Sequence, residues 1–412
     1  MNTFPFYTMS DFDFTDKRVY LRIDINSPIN PINGEILDDT RFRHHIQTIN
    51  ELKNSKLVIV AHQGRPGDSD FVSLRNHAKH LEKLIGREVT FVDSLIGSAA
   101  EDRIRRMKSG EIVMLENSRF YSEEVVVKDE ENSMENTHII RNLSQFFDYY
   151  VIDAFAAIHR AQATLVGFRN SGPNIAGRLI ENEVKNIEIF KNSRKHPKIA
   201  ILGGSKISDA IQVSMPFLEN NIVDDIILGG VVANIFLWAS GIDIGLRNKE
   251  FIMKHNRNFN KLMIECKNLL SKYGKRIHMP IDFVLNPSQE RVNVGDHIPD
   301  KDLIADIGME SIVKFSKIIE KAKNIFLNGP MGMYEINEYS LGTRELFNYI
   351  AQANASKIVG GGHTINAISE FSLTQSMGYI STGGGALINY LSGESIPVIE
   401  SLIRNREMFG GN

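Results

Sequence analysis

The sequence has very little cysteine: Cys266 is the one thiol among 412 residues. A single cysteine excludes an internal disulfide and fits a reducing compartment, which predicts a cytoplasmic location. The first residues, MNTFPFYTMSDFDF, contain no basic stretch and carry acids early. We therefore expect no signal peptide.

Long hydrophobic runs and a strong charge of one sign are also missing. The longest nearly apolar stretch, IILGGVVANIFLWA at 226–239, is too short for a membrane span. The net charge is only −3, from 47 basic and 50 acidic residues, which predicts no bulk attraction to nucleic acid or to an anionic membrane. We expect small-molecule partners, and both a monomer and a homodimer remain open.

Four common site signatures are absent. No G-x-x-x-x-G-K-[ST] loop occurs, and no glycine turn reads G-x-G-x-x-G with an acid about 20 residues later. A nicotinamide-dependent dehydrogenase is therefore disfavoured. Neither H-E-x-x-H nor C-x-x-C is present, so no metal ligands can be assigned from spacing.

A short apolar run, a glycine or polar break, and a segment of helical period recur along the chain. Such runs alternating with helices predict parallel sheets covered on both faces. The fold class is therefore α/β, and ten such units exceed one comfortable doubly wound sheet, so we expect two domains. The predicted strands are 19–25, 56–62, 111–117, 149–155, 198–204, 225–230, 277–285, 324–330, 357–362 and 378–385.

The segment GRLIENEVKNIEIFKNSRKHP, residues 177–197, predicts a long helix between the two domains. Its apolar residues, including Ile180, Val184 and Ile187, recur at helical spacing. His196-Pro197 is expected to end the segment, because proline disfavours helix in the preceding residue. The predicted domains are residues 1–176 and 198–395.

The strand ends of the first half carry charged and polar residues. The planar fork of arginine matches phosphate and carboxylate, so four arginines in similar contexts predict a site for a small, doubly anionic ligand. Any one of these arginines alone is better explained as a solvated or structural residue, and only the four together favour the site. His44 and His45, beside Arg41, could add to this anion site, but a solvated helix face is the favoured interpretation. The residues concerned are Asp24, Asn26, Arg41, His62, Arg65, Arg119 and Arg160.

The strand ends of the second half carry glycine instead. A glycine at a strand-to-helix turn lets a phosphate approach the free N–H groups of the first helical turn. Lys206, in LGGSK, adds a mobile cation where a transferring phosphoryl group could be met. The glycines concerned are Gly203, Gly204, Gly229, Gly230, Gly329, Gly332, Gly360 to Gly362 and Gly383 to Gly385.

Nine sequence blocks resemble the phosphoglycerate kinase family, in the family's order and over nearly the whole chain. GGGHT, where GGGDT is more usual, is similar to the archaeal branch. The blocks are LRIDINSPI (21–29), DDTRF (38–42), AHQGRPG (61–67), LENSRF (115–120), DAFAAIHRAQAT (153–164), LGGSKISD (202–209), NGPMGMYE (328–335), GGGHT (360–364) and STGGGA (381–386).

The resemblance implies reversible transfer of the acyl phosphate of 1,3-bisphosphoglycerate to ADP with Mg²⁺, giving 3-phosphoglycerate and ATP. It also implies two Rossmann-like domains that close by hinge bending, with residues 396–412 returning to the first. In the first domain, the residues expected to contact the glycerate or its phosphate are Asp24, Asn26, Arg41, His62, Arg65, Arg119 and Arg160. Arg41 would also face the transferring group.

The second domain is implied to bind the nucleotide. Lys206 would contact its phosphates and the group in flight, and Glu335 would hold the ribose hydroxyls. The other implied residues would contact the nucleotide phosphates, and Gly361 and Gly384 would also lie beside the transferred phosphoryl group. These are Gly203, Gly204, Gly229, Gly230, Asn328, Gly361, Gly362, His363, Thr364 and Gly384.

Two positions depart from the family pattern. Ala210 stands where a second lysine is usual, and His363 stands where an aspartate usually helps to hold magnesium. Magnesium prefers oxygen ligands, so we expect phosphate oxygens and water to hold it. His363 either donates to a phosphate or acts as a neutral capping residue. The departures also motivate a rival hypothesis, a regulatory paralogue that binds the ligands without turnover.

Overall fold

The computed structural model describes residues 4–127 and 133–410, which form two compact units. The first unit contains the described residues up to Lys185 and those from Ser395 onward, and the second is Asn186–Glu394. Each unit has its own parallel sheet, of seven strands in the first and six in the second. The prediction of two parallel-sheet α/β domains is confirmed.

All neighbouring strands of the first unit's sheet are parallel, in the order β1-β7-β6-β2-β3-β5-β4. The strands are β1 (Tyr7–Thr8), β2 (Arg18–Arg22), β3 (Lys56–Val60), β4 (Val89–Val92), β5 (Ile112–Leu115), β6 (Tyr149–Ile152) and β7 (Asn174–Ala176). The helices are α1 (Thr40–Glu51), α2 (Arg75–Ile85), α3 (Ser98–Arg105), α4 (Ser122–Val126), α5 (His138–Leu143), α6 (Ala163–Val166) and, after the second unit, α16 (Pro397–Phe409).

The second unit combines a parallel sheet, β10-β9-β8-β14-β15-β16, with an antiparallel one, β12-β11-β13. Its strands are β8 (Lys198–Leu202), β9 (Asp225–Leu228), β10 (Ile277–His278), β11 (Asp282–Asn286), β12 (Arg291–Asn293), β13 (Leu303–Ile307), β14 (Asn324–Asn328), β15 (Ser356–Gly360) and β16 (Tyr379–Ile380). Its helices are α8 (Ile207–Glu219), α9 (Gly230–Ala239), α10 (Leu246–His255), α11 (Phe259–Tyr273), α12 (Met309–Ile319), α13 (Leu341–Gln352), α14 (Gly362–Glu370) and α15 (Gly384–Ser392).

The prediction of one strand over 277–285 is wrong. The run divides at Met279 and Pro280: β10 pairs in parallel with β9, whereas β11 pairs antiparallel with β12 and β13. Proline has no N–H to donate and a fixed φ, so it interrupts a ladder within an otherwise apolar run. The sequence also failed to indicate β1, β4, β7, β12 and β13, each of two to five residues.

Helices α7 and α16 lie at the two points in the sequence where the chain changes from one unit to the other. The helix predicted over 177–197 is α7 (Arg178–Asn192), and the boundary between the units falls inside it, after Lys185. It ends before the predicted limit at Pro197. Helix α16 packs within the first unit, where Asn405 donates to the carbonyl oxygens of Arg169 and Gly172 at 2.7 and 2.8 Å.

No helix in residues 4–127 and 133–410 combines the length and apolar character needed to cross a membrane.

Candidate active site

The first unit gathers positive side chains at the carboxyl edge of its sheet. Arg41, on α1, donates from Nη1 to Oδ2 of Asp24 at 2.6 Å, and Asp24 follows β2. His62 follows β3, and Arg119 and Arg160 follow β5 and β6. These strands are neighbours and parallel, so their carboxyl ends share one edge. We call the set Asp24, Asn26, Arg41, His62, Arg65, Arg119 and Arg160 the basic cluster.

The charges of the basic cluster act on one another. Burial opposes ionisation of Asp24, yet the positive charges of His62, when its ring is protonated, and of Arg41 hold the pKa of its carboxyl well below its usual range. Burial and the charge of Arg160 lower the pKa of Arg119 to about 10. Burial also lowers the pKa of Arg160; Asp24 opposes this, and Arg65 adds to it. An anion entering the cluster would relieve this mutual repulsion.

Hydrogen bonds to Gly64 fix the loop that follows β3. The backbone N–H of Gly64 donates to Oδ1 of Asn26 at 3.0 Å, and its carbonyl oxygen accepts from Nη1 of Arg119. Gly64 has φ of 67°, and a Cβ there would meet the backbone of Asp70 at about 2.5 Å. Arg65 follows directly and is exposed. The loop therefore holds Arg119 while presenting Arg65 to solvent.

His45 was expected on a solvated face, and this expectation is wrong. The ring is 1% exposed, with Nδ1 2.9 Å from Oδ2 of Asp153. Asp153 also accepts from the backbone N–H of Leu179, in the first turn of α7, at 2.9 Å. His44 is exposed, as expected. Helical period alone did not distinguish the two adjacent rings.

The second unit contains a cavity of about 250 Å³ between its glycine turns and the antiparallel sheet. One end is lined by glycine backbone and the other by apolar side chains. The glycine end is formed by Gly203, Gly204, Gly230, Gly329, Gly332, Gly361, Gly362 and Gly384, and the apolar wall by Val231, Ala233, Phe251, Pro280, Phe283 and Ile304. Of the glycines predicted at these strand ends, Gly229, Gly360, Gly383 and Gly385 are adjacent in sequence to lining residues but do not line the cavity themselves.

Close backbone approaches explain why this end of the cavity is built of glycine. The N–H groups of Gly203 and Gly204 donate to the carbonyl oxygens of Asn328 and Pro330 at 2.8 and 2.7 Å. Gly329 donates to Oγ1 of Thr364 at 2.7 Å, which joins the turn after β14 to the start of α14. A side chain at Gly203 would collide with the Pro330 carbonyl.

The charged residues predicted for the second unit also line the cavity. Lys206 is exposed at the start of α8, and the buried Ala210 lies one turn further along. His363 begins α14 with its side chain 70% exposed, and its Nδ1 lies 3.8 Å from Oε1 of Glu335. Asn328 and Thr364 complete the predicted set at this cavity.

A protein-held metal does not fit the donor set. Within the part of the chain that the structure describes, no three His, Cys, Asp or Glu side chains come together as a metal site. The acids that line the cavity are Asp209, Asp306 and Glu335, and they do not form such a group. A divalent ion would therefore depend on ligand oxygens for most of its coordination.

Asp306 and the apolar wall are site features that the sequence did not reveal. Asp306, on β13, is 2% exposed and accepts from the backbone N–H of Gly342 at 2.6 Å. Burial raises the pKa of its carboxyl to about 7. The pattern of apolar and polar residues in LIADI, residues 303–307, predicted neither a strand nor the burial of its aspartate.

Asp306→Asn is expected to change how stability depends on pH. Between about pH 4 and about pH 7, folded Asp306 holds a proton that the unfolded chain has lost, so its contribution declines as pH rises. The unfolding free energy of the wild type relative to Asp306→Asn should therefore fall by about 2–4 kcal/mol from pH 4.5 to pH 7.5. Urea unfolding at both pH values measures this. A constant difference would contradict the raised pKa.

The chain is similar along its length to proteins of one family. The family model described as phosphoglycerate kinase matches residues 9–394. The phosphoglycerate kinase of Thermoplasma acidophilum is 57% identical over 406 residues, 98% of this chain and 99% of that protein. That of Methanothermus fervidus is 46% identical over 408 residues, 98% of each. The crystal structure of the Pyrococcus horikoshii phosphoglycerate kinase matches with a TM-score of 0.88 at 36% identity, covering 98% of this chain and 100% of that one.

Proposed function

The chain belongs to the phosphoglycerate kinase family, and from that premise we propose that its two units each bind one of the two substrates. The enzyme transfers the acyl phosphate of 1,3-bisphosphoglycerate to ADP, reversibly, giving 3-phosphoglycerate and ATP. One observation carries the division of labour. Guanidinium groups gather in the first unit, whereas a glycine-walled cavity with an apolar wall lies in the second.

In this proposal the basic cluster binds the glycerate. The ligand carries a phosphate and a carboxyl group, and arginine donates two parallel hydrogen bonds to either. Arg65, Arg119 and Arg160 receive these anions. Asp24 stays ionised beside Arg41, so it can accept a hydrogen bond from the hydroxyl of the glycerate.

The cavity of the second unit binds the nucleotide in the same proposal. Its apolar wall, with Phe283 and Ile304, accommodates the base. The phosphates bind beside the glycine turns, at the start of α14. Glu335 holds the ribose hydroxyls, and Asn328 lies near the phosphates. Bound Mg²⁺ would be held mainly by the phosphate oxygens of the nucleotide and by water, and it would supply neutralisation of the phosphate charge. His363, exposed at the first turn of α14, donates to a phosphate.

The chemistry requires positioning and charge neutralisation and no covalent intermediate. An acyl phosphate transfers its phosphoryl group when donor and acceptor oxygens lie in line and the equatorial oxygens are neutralised. Arg41 from the first unit and Lys206, Gly361 and Gly384 from the second supply that neutralisation. Hinge closure brings the two substrates together and excludes water, which would hydrolyse the acyl phosphate. Holding the reactants in line can supply about 7–11 kcal/mol of the barrier reduction.

We also propose that the protein is cytoplasmic, where a reducing environment suits a chain with a single free thiol. The side chain of Cys266 is buried, and burial raises the pKa of its thiol to about 12, which keeps it protonated and unreactive.

Arg65→Ala tests the division between the units. The variant should bind 3-phosphoglycerate at least tenfold more weakly, because a charged hydrogen bond to the ligand is lost, while ADP affinity stays within twofold. Isothermal titration with each ligand measures this. Arg43→Ala is the matched control, since Arg43 is exposed and pairs with Asp39 on α1. Equal losses for both ligands would contradict separate sites.

A further inference from the structure

Arg22, the last residue of β2, is a buried arginine that the reaction described above does not use. Its side chain is fully buried, at 0% exposure. Nε donates to Oγ1 of Thr164 at 2.9 Å, and Nη1 donates to the carbonyl oxygen of Ile23. The remaining end, Nη2, lies 2.9 Å from Nδ1 of His62. Burying a guanidinium is costly unless its donors are satisfied, and here each of its three nitrogens has a partner.

The charge of Arg22 is balanced by a carboxylate held in the same network. Oε1 of Glu124 lies 3.8 Å from Nη2 of Arg22, and both side chains are 0% exposed. Thr164 connects the two, because its hydroxyl donates to Glu124 while its oxygen accepts from Arg22. The backbone N–H of Thr164 also donates to Oε2 of Glu124, at 2.9 Å. Donors on α6 and a carboxylate on α4 thus fix the orientation of the guanidinium on β2.

The contact with Arg22 determines which ring nitrogen of His62 carries a proton. A guanidinium can only donate hydrogen bonds, so Nδ1 of His62 must accept and must be unprotonated. A neutral ring then carries its proton on Nε2. A doubly protonated ring would place an N–H against the donor of Arg22, which breaks the contact.

The groups around His62 favour the same state. Burial lowers the pKa of the ring well below its usual value; the charge of Asp24 opposes this, and the charges of Arg22, Arg119 and Arg160 lower it further. These groups lie on or follow three different strands of the sheet, β2, β5 and β6. The ring is 1% exposed. His62 is therefore neutral across the physiological range.

We propose that Arg22 is a positioning residue that holds His62 as the neutral Nε2–H tautomer, so that the ring presents a hydrogen-bond donor to the oxygens of the bound glycerate. The contact between the His62 ring and the glycerate rests on the proposed function. The tautomer set by Arg22 is a property of the free enzyme and does not depend on that function. Because His62 is neutral, it does not offer an imidazolium proton to Asp24. The carboxylate of Asp24 therefore remains free to accept a hydrogen bond from the substrate hydroxyl.

Nitrogen NMR of the free enzyme tests the tautomer. The protein is labelled with ¹⁵N-histidine, and the His62 signals are assigned by their loss in His62→Gln. We expect an unprotonated Nδ1 and a protonated Nε2, unchanged from pH 5.5 to 8.0. A proton on Nδ1, or a titration near the ordinary value of about 6.5, would overturn the proposal.

Kinetics test the consequence for the substrate. The double variant Arg22→Met/Glu124→Gln removes both buried charges together and leaves neither unpaired. We expect the tautomer signal to become mixed and the KM for 3-phosphoglycerate to rise about tenfold, with kcat within threefold and the nucleotide KM unchanged. Arg18→Met is the matched control, because it removes an arginine from the opposite end of β2.

Each other outcome is decisive. An unchanged tautomer and KM in the folded double variant would overturn the proposal. A mixed tautomer with an unchanged KM would refute the role of His62 in the glycerate site, while the wild-type spectrum would still report on the contact with Arg22. Arg22→Lys serves if the double variant does not fold, since it keeps the charge beside Glu124 but loses the fork. Arg22→Lys should also raise the KM for 3-phosphoglycerate. If both this KM and the His62 tautomer stay unchanged in Arg22→Lys, the proposal is wrong.

Discussion

Lys206→Ala is expected to lower kcat by about 10²–10³-fold, the cost of one electrostatic contact to a transition state. The loss should be large here because the family's usual second lysine is Ala210, which is buried and offers no charge. Lys206 is thus the one lysine or arginine among the described residues that line the cavity. If phosphoryl transfer depends on neutralising the equatorial oxygens, removing this cation should affect kcat more than the nucleotide KM.

A coupled assay with ATP, 3-phosphoglycerate and Mg²⁺ measures both constants. Lys261→Ala is the matched control, since Lys261 lies exposed on α11 and does not line the cavity. A loss below threefold in Lys206→Ala would show that Arg41 and the glycine amides are sufficient. That result would remove Lys206 from the catalytic set.

Gly361→Ala is expected to destabilise the folded protein by about 2–5 kcal/mol. Gly361 has φ of 88°, a left-handed conformation that costs an alanine roughly 1–2 kcal/mol. Its new Cβ would also overlap Oδ1 of Asn328, and such overpacking typically costs about 1–3 kcal/mol more. Because Asn328 and the start of α14 line the cavity, the nucleotide KM should rise as well.

The next residue provides the control for this prediction. A Cβ at Gly362 has no heavy atom within 4 Å, and Gly362 opens α14 without a left-handed φ. Gly362→Ala should therefore leave the unfolding free energy unchanged or raise it by up to about 1 kcal/mol. Urea unfolding of both variants gives the comparison. Equal destabilisation would mean that the glycines serve only as generic turn residues.

Much of the fold follows from local sequence patterns. Continuous apolar runs such as KLVIV can be satisfied only in a sheet covered on both faces, so the parallel strands were predictable. The same patterns misread 277–285, because Pro280 breaks the ladder and directs each half into a different sheet. They also failed to mark strands as short as β1, whose pairing with β7 depends on residues far along the chain.

The candidate site divides in a similar way. Arg65, Lys206 and the glycine turns were identifiable because their chemistry belongs to the residue type and its place after a strand, and Arg41 was identifiable from its residue type and sequence block. Arg22, His45 and Asp306 were not, because their roles depend on burial. An arginine inside a strand and an acid in LIADI look like surface residues until the packing around them is known.

The sequence by itself determined the α/β class, the longer parallel strands, the separation of arginine-rich from glycine-rich strand ends, and the family, because these are properties of residue type and spacing. Only the tertiary structure decided which ionisable groups are removed from water and which partner each one faces. Desolvation and hydrogen bonding set the ionisation of Asp306 and the tautomer of His62, and both depend on neighbours distant in the chain.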